Sequence, residues 1–82
     1  MISLTELEVG KKAVIKEIRG GFGLKRRLES LNMRVGKTVK KISSAPFHGP
    51  VVVEIERCKI AIGRGMANKV FVEVVDENSP YG

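Results

Sequence analysis

Residues 51–62 form the stretch VVVEIERCKIAI, in which two short apolar runs are separated by a few polar residues. Aliphatic side chains alternate along 51–56, as expected for a strand with one buried face. Only Arg57 and Cys58 separate this strand from the next, at 59–62, which predicts a tight hairpin, although neither residue is favoured in two-residue turns. The stretch therefore predicts an antiparallel β fold.

Three further strands are predicted around this hairpin, at 11–18, 37–43 and 70–75, which gives five in total. Residues 44–50 are predicted to be a loop because the prolines at 46 and 50 cannot donate to a strand ladder. Residues 63–69 are too short and too rich in glycine for more than a single turn.

One helix is predicted, over residues 24–31. Leu24, Leu28 and Leu31 stand at positions i, i+4 and i+7, which places the three leucines on one buried face. The charged residues between them point outward, and Asn32 is expected to end the helix in a left-handed conformation.

A second short element is predicted near the N-terminus. Ser3 and Glu6 match a capping box, which indicates one helical turn at 4–8 that covers the core. Five short strands and one short helix cannot bury an apolar face as a flat sheet, so we expect closure. The predicted fold is mostly β, a small α+β domain built as an SH3-like five-stranded small barrel with one short helix, forming a single domain over 1–82 with a frayed tail at 76–82.

The charge of the chain is concentrated in its first half. The net charge is +6, but residues 10–41 carry eleven basic residues against Glu17 and Glu29, a net charge of +9. A basic surface of this kind fits an acidic protein surface or a nucleic acid. The chain has only three phenylalanines and one tyrosine, which gives little for bases to stack on, so we expect an acidic protein rather than a nucleic acid.

The candidate partner-binding residues are a basic helix face with an aromatic residue at its entrance. They are Phe22, Lys25, Arg26, Arg27, Arg34 and, in the turn before the last strand, Arg64. Catalysis is not expected, because no nucleophile, base and orienting group are spaced to act together. His48 and Cys58 are weak candidates for a metal site, since two side chains without a spacing motif fall short of the three or four ligands required.

The N-terminus has no basic region followed by an apolar one, and no apolar run approaches the roughly 20 residues that a membrane span needs. We therefore expect a cytoplasmic protein without direct membrane insertion. A lone cysteine, which cannot form an intramolecular disulfide, fits a reducing compartment.

The order of these features resembles the ferrous iron transport protein A (FeoA) family over nearly the whole chain. The matching elements are Ser3-Leu4-Thr5-Glu6-Leu7 with Gly10, Arg26-Arg27-Leu28 with Leu31 and Gly36, Gly49-Pro50 before the strand from Val51, and Ile60-Ala61-Ile62-Gly63-Arg64-Gly65-Met66-Ala67. The chain departs from the family at Asn32 and at Arg57 or Cys58, where the family has glycine.

The resemblance implies an SH3-like barrel and a cytoplasmic accessory role in ferrous iron uptake, through contact with a membrane GTPase transporter of the FeoB type. It implies no catalytic or metal residues, so Fe²⁺ or another divalent transition metal is considered only as a weakly held ion or one at a shared interface. Two alternatives stay open: a nucleic-acid-binding small β-barrel, and a metal-sensing module related to the C-terminal domain of iron-dependent repressors. Edge strands would also permit a homo-oligomer.

Overall fold

The computed structural model describes residues 1–44 and 49–75. The elements in chain order are β1 (Ile2–Ser3), β2 (Lys12–Ile18), α1 (Phe22–Ser30), β3 (Thr38–Ser44), β4 (Val51–Ile55), β5 (Cys58–Ile62), α2 (Arg64–Ala67) and β6 (Val70–Val74). The fold is mostly β, as predicted. Two counts differ within the described residues: Ile2–Ser3 pairs with β6 as a sixth strand, and a second short helix, α2, forms in the predicted turn at 63–69. Most of the predicted 44–50 loop and the predicted 76–82 tail lie outside the described residues.

A single antiparallel sheet carries the six strands of the described residues in the order β1-β6-β2-β3-β4-β5. The pairing register shifts between Ile15 and Glu17 in β2, and again between Lys41 and Ser43 in β3. Register shifts of this kind bend a strand and increase its twist. The two central strands are therefore the ones that let the sheet curl around one core.

The core is formed by apolar side chains from both ends of the chain. The buried apolar residues among those described are Leu4, Leu7, Ala13, Ile15, Leu28, Met33, Val39, Val51, Val53, Ile55, Ile62, Ala67, Val70 and Val72. Strands β2, β3, β4 and β6 each contribute side chains at every second position, as expected for strands with one buried face.

The N-terminal segment after β1 is a turn and not the helical turn predicted for 4–8. The backbone N–H of Glu6 donates to the carbonyl of Ser3 at 3.0 Å, and the Ser3 hydroxyl donates to the Glu6 carboxylate at 3.1 Å. The predicted Ser3–Glu6 contact is present, but the pairing of Ser3 with Phe71 in β6 keeps the residue in a strand. Leu4 and Leu7 are nonetheless buried, so the turn covers the core as expected.

Helix α1 begins two residues earlier than predicted and ends in a Schellman motif. The N–H of Met33 donates to the Leu28 carbonyl and the N–H of Asn32 to the Glu29 carbonyl, each at 2.9 Å. Asn32 has φ 65°, which confirms the predicted left-handed cap. Met33 is buried beside Leu28 in the core, so the motif fixes the direction in which the chain leaves the helix.

The β4–β5 hairpin turns at Glu56 and Arg57, one residue before the predicted Arg57 and Cys58. Both turn residues have positive φ, 49° and 71°, as a type I′ turn requires. The Glu56 carboxylate accepts hydrogen bonds from the Asn32 amide at 2.9 Å and the Lys37 ammonium at 2.5 Å. These contacts, from Lys37 first, lower the pKa of Glu56. The turn is thereby tied to the end of α1 and the start of β3.

Candidate partner-binding surface

The outer face of α1 carries exposed residues of the kind predicted. Phe22 is 89% exposed at the first position of the helix, and Lys25 and Arg26 follow on the same side, three and four residues later. Leu28 is buried and Leu24 and Leu31 pack against the core, so the helix is leucine inside and cationic outside, as predicted. Of these residues, Phe22 and Arg26 are of types that are enriched at protein interfaces.

A groove separates this helix face from strand β2 and from the turn that follows Met33. It has a volume of about 480 Å³ and is lined by Lys16, Glu17, Ile18, Lys25, Glu29, Arg34 and Val35. Two of the lining residues are apolar: Ile18 is partly buried against the core, and Val35 is 62% exposed. Two predicted residues, Lys25 and Arg34, thus meet in one concave surface although they are nine positions apart.

The walls contributed by β2 and Val35 were missed by sequence reasoning. Ile18 in β2 partly packs on the core and partly lines the groove, and a strand residue with this double role has no distinct sequence pattern. The only signal was the alternation along β2, which indicates which residues face outward but not which element packs beside them.

Several cations of this surface have no carboxylate partner among the described residues. Among the described residues, Lys16 pairs with Glu73 at 3.9 Å, Arg19 with Glu17, and Lys37 with Glu56. Within 1–44 and 49–75, the cations without an ion pair include Lys25, Arg26, Arg27 and Arg34. Four cations without an ion pair therefore lie on α1 and in the turn after it, although Lys11 and Lys40 in the described part of the first half have none either.

Two predicted residues lie apart from the groove. At about 100° per residue, Arg27 is about 200° around the helix from Lys25, on the opposite flank. Arg64, at the start of α2, donates to the Ser44 hydroxyl at 3.1 Å and does not line the groove. The residues predicted to form one basic face therefore do not all lie together. Lys25 and Arg34 line the groove, whereas Arg27 and Arg64 lie outside it.

Lys41 is a buried lysine that sequence reasoning counted among the basic surface residues. Only 2% of it is exposed, and its ammonium donates to the carbonyls of Leu4 at 3.2 Å and Thr5 at 2.8 Å. Burial, and after it the charge of Arg64, lowers the pKa of Lys41. The burial of Lys41 could have been predicted from the alternation of the strand, since Lys41 stands two residues after Val39 and therefore faces the core as Val39 does.

The candidate metal ligands do not come together in the described part of the chain. Cys58 is exposed at the start of β5, and His48 lies outside the described residues. Across 1–44 and 49–75, no three His, Cys, Asp or Glu side chains are close enough to hold a metal ion. The described residues therefore do not by themselves define a resident metal site.

The described phenylalanines lie on different elements. Phe22 is at the start of α1, whereas the ring of Phe71 in β6 is covered by the Arg19 guanidinium at 4.0 Å from its centroid. Within the described ranges the two do not form a common stacking platform of the kind that single-stranded nucleic acids use. No helix in these ranges is long and apolar enough to cross a membrane.

The curled antiparallel sheet and the cationic groove on its one long helix define the class of the protein: a small β-barrel domain of the SH3-like type. The FeoA domain family matches residues 2–74, and the chain belongs to that family. FeoA proteins are small accessory proteins of ferrous iron transport. The resemblance inferred from the sequence is thereby confirmed.

Three similar proteins illustrate the relationship. The chain is 36% identical over 73 residues to a putative Fe(2+) transport protein A of Methanocaldococcus jannaschii, covering 89% of this chain and 87% of the relative. It is 30% identical over 76 residues to an Fe(2+) transport protein A/Fe(2+) transporter FeoB fusion protein of Porphyromonas gingivalis, covering 93% of this chain and 9% of the fusion protein. A crystal structure of the iron uptake regulatory protein FeoA superposes with a TM-score of 0.82 at 28% identity, covering 90% of this chain and 96% of that one.

Proposed function

We propose that this protein is a cytoplasmic, non-catalytic accessory protein of ferrous iron uptake that docks on the cytosolic part of a FeoB-type membrane transporter. The docking surface is the groove between α1 and β2 together with the exposed face of α1. The observation that carries the proposal is the exposed Phe22 beside cations that have no carboxylate partner. The complementary surface on the transporter is acidic and offers an apolar recess for the phenyl ring.

The chemistry of the groove favours a protein partner over a small ligand. Its apolar parts, Ile18 and Val35, are shallow and lie among charged side chains rather than inside a closed cavity. Exposed apolar side chains rimmed by polar residues are typical of protein interaction sites. Lys25, Arg26 and Arg34 would steer an acidic surface toward the groove and fix its orientation.

The fusion protein of Porphyromonas gingivalis supports the choice of partner. In that relative a segment similar to this chain and a FeoB transporter are parts of one polypeptide. Covalent linkage raises the effective concentration of one domain at the surface of another, often to the millimolar range. The proximity in the fusion protein supports contact between a domain of this family and FeoB, and we assign that contact to the α1–β2 groove.

The test reverses the charges of the surface and measures capture by the purified cytosolic domain of the transporter at low salt. We expect Lys25→Glu with Arg34→Glu to weaken capture at least about tenfold, about 1.4 kcal/mol. Arg26→Glu with Arg27→Glu should also weaken capture, but less, because Arg27 lies on the far flank of the helix.

The matched control is Lys11→Glu with Lys69→Glu, which makes the same change in net charge at two exposed positions outside the groove. Capture by this control should fall clearly less than capture by the groove variants, since charges at Lys11 and Lys69 act on the partner only at long range, where the interaction is weaker. Unchanged capture by the groove variants, or an equal loss in the control, would contradict the proposed docking surface.

A further inference from the structure

Strand β5 forms one edge of the sheet in the described part of the chain. Its five residues all pair with β4 on one side, from Ile55–Cys58 to Val51–Ile62. The other edge strand, β1, has only two residues. An edge of five residues without a partner strand is a template for the addition of another strand.

The hairpin geometry determines which backbone groups of β5 face away from β4. A two-residue turn at Glu56 and Arg57 makes Ile55 and Cys58 a hydrogen-bonded pair, and such pairs alternate along an antiparallel ladder. Lys59 and Ala61 therefore direct their N–H and C=O groups outward. No backbone hydrogen bond from another described segment reaches these groups.

The inner side of the same edge is apolar. Ile60 packs against the core but is only partly buried, and it borders a cleft of about 320 Å³ with Leu31 at the end of α1. Cys58 and Ile55 line the same cleft. A strand added to β5 would place a side chain opposite Ile60, at the mouth of this cleft.

We propose that the β5 edge binds the β5 edge of a second copy of this chain, forming a continuous sheet across a two-fold axis at Ile60. In this antiparallel register the backbone N–H and C=O of Lys59 form two hydrogen bonds with those of Ala61 in the second copy. Ala61 and Lys59 of the second copy form the other two, which makes four hydrogen bonds in total. Ile60 faces Ile60 of the second copy, so each chain supplies the apolar side chain that the cleft of the other accepts.

The distribution of charge selects this register over the neighbouring one. Centring the pair on Lys59 would place two lysines directly opposite each other, which is unfavourable. Centring it on Ile60 places Lys59 between Ala61 of the second copy and its own cross-strand neighbour Glu54, whose carboxylate offsets the positive charge. The inference is independent of the proposed docking surface, because none of the residues lining the α1–β2 groove belongs to β5.

The first test blocks the outer side of the edge without disturbing the β4–β5 ladder. Ala61→Pro removes an N–H that points away from β4, a position at which edge strands tolerate proline. In sedimentation experiments we expect the unmodified protein to shift with concentration from 9.0 kDa toward twice that mass. The proline variant should stay monomeric at every concentration, and the matched Ala61→Ser variant, which keeps the N–H, should still dimerise.

The second test measures the register through cross-linking of the full chain by diamide, which accepts the two electrons and two protons released when two thiols form a disulfide. Residues at a non-hydrogen-bonded pair have Cα atoms about 4.5 Å apart, within disulfide range. Cys58→Ser with Ile60→Cys should therefore give a cross-linked dimer. The native Cys58 should not, since the two copies of it would be about 13 Å apart in this register.

Three outcomes would overturn the proposal. One is a protein that remains monomeric up to millimolar concentration. Another is a dimer that survives Ala61→Pro in a variant whose circular dichroism and unfolding midpoint are unchanged. The third is faster cross-linking of Cys58→Ser with Lys59→Cys than of the Ile60→Cys variant, which would place the two-fold axis at another residue.

Discussion

At the scale of single residues, the hairpin turn holds two residues in a conformation that does not suit their type. Glu56 and Arg57 both have positive φ, a region that costs a residue with a Cβ atom about 1–2 kcal/mol. Glu56 gains two hydrogen bonds from Asn32 and Lys37 in that position. Arg57 is exposed and makes no hydrogen bond or ion pair with another described residue, so its strain is not offset.

We therefore expect Arg57→Gly to raise the free energy of unfolding by about 0.5–1 kcal/mol. Glycine relieves the strain of the positive φ, but it also gives the unfolded chain more conformational entropy, which offsets part of the gain. Arg57→Ala removes the same guanidinium but keeps a Cβ atom, and its stability should stay within about 0.5 kcal/mol of the unmodified protein. Urea denaturation of the three proteins measures the difference. Equal stability of the glycine and alanine variants would show that residue 57 is not strained.

Lys41 contributes to stability in two opposing ways, through its hydrogen bonds and through its buried charge. Its ammonium satisfies the carbonyls of Leu4 and Thr5, which ties the N-terminal turn to β3, but its charge is buried near Arg64. Lys41→Met would deprive two carbonyls of their donor, at about 1–3 kcal/mol each, and would relieve the cost of the buried charge. We expect a net loss of about 1–2 kcal/mol at pH 7.

The same residue predicts a pH dependence of defined sign. Because the pKa of Lys41 in the folded protein is lowered from 10.5, the folded state releases this proton at a lower pH than the unfolded chain does. Between the two pKa values the unfolded chain binds more protons, so the free energy of unfolding rises with pH. The stability of the unmodified protein relative to Lys41→Met should therefore increase toward pH 10 in urea titrations. Parallel pH profiles would contradict a lowered pKa.

At the scale of elements, the sequence predicted α1 well because the pattern of leucines has a single interpretation. Leu24, Leu28 and Leu31 coincide only on a helix, and Asn32 is one of the few residue types that readily takes the left-handed cap. β1 could not be predicted, since a two-residue strand is defined only by its partner β6. The outward cations of α1 followed from the helical period, but the groove they border required the packing of β2 beside the helix.

The pairing register of the β4–β5 hairpin could not be predicted from the hydrophobic pattern alone. Moving the turn from 57–58 to 56–57 changes each partner by two residues, and a shift of two keeps every side chain on the same face of the sheet. Val53 lies opposite Ile60 in the structure, whereas the predicted turn would have placed it opposite Ile62. The contacts that accompany the observed register, from Glu56 to Asn32 and Lys37, join segments that are distant in sequence.

At the scale of the whole molecule, the net charge of +6 favours the proposed contact with an acidic partner and disfavours the proposed dimer. An acidic partner is attracted by the cations of α1, and added salt screens this attraction. Two copies of this chain repel each other, and added salt screens the repulsion instead. Backbone hydrogen bonds and the Ile60 contact of the proposed dimer depend much less on salt than pairs of exposed charges do.

This difference predicts opposite responses of one protein to ionic strength. Raising sodium chloride from about 0.05 to 0.5 M shortens the screening length from roughly 14 to 4 Å. Over that range we expect capture by the transporter's cytosolic domain to fall at least about tenfold, while the dimer fraction at fixed protein concentration rises or stays constant. Capture assays and sedimentation on the same preparation measure both. A dimer that dissociates as salt is added would mean that charge pairs, and not the β5 edge, hold the two copies together.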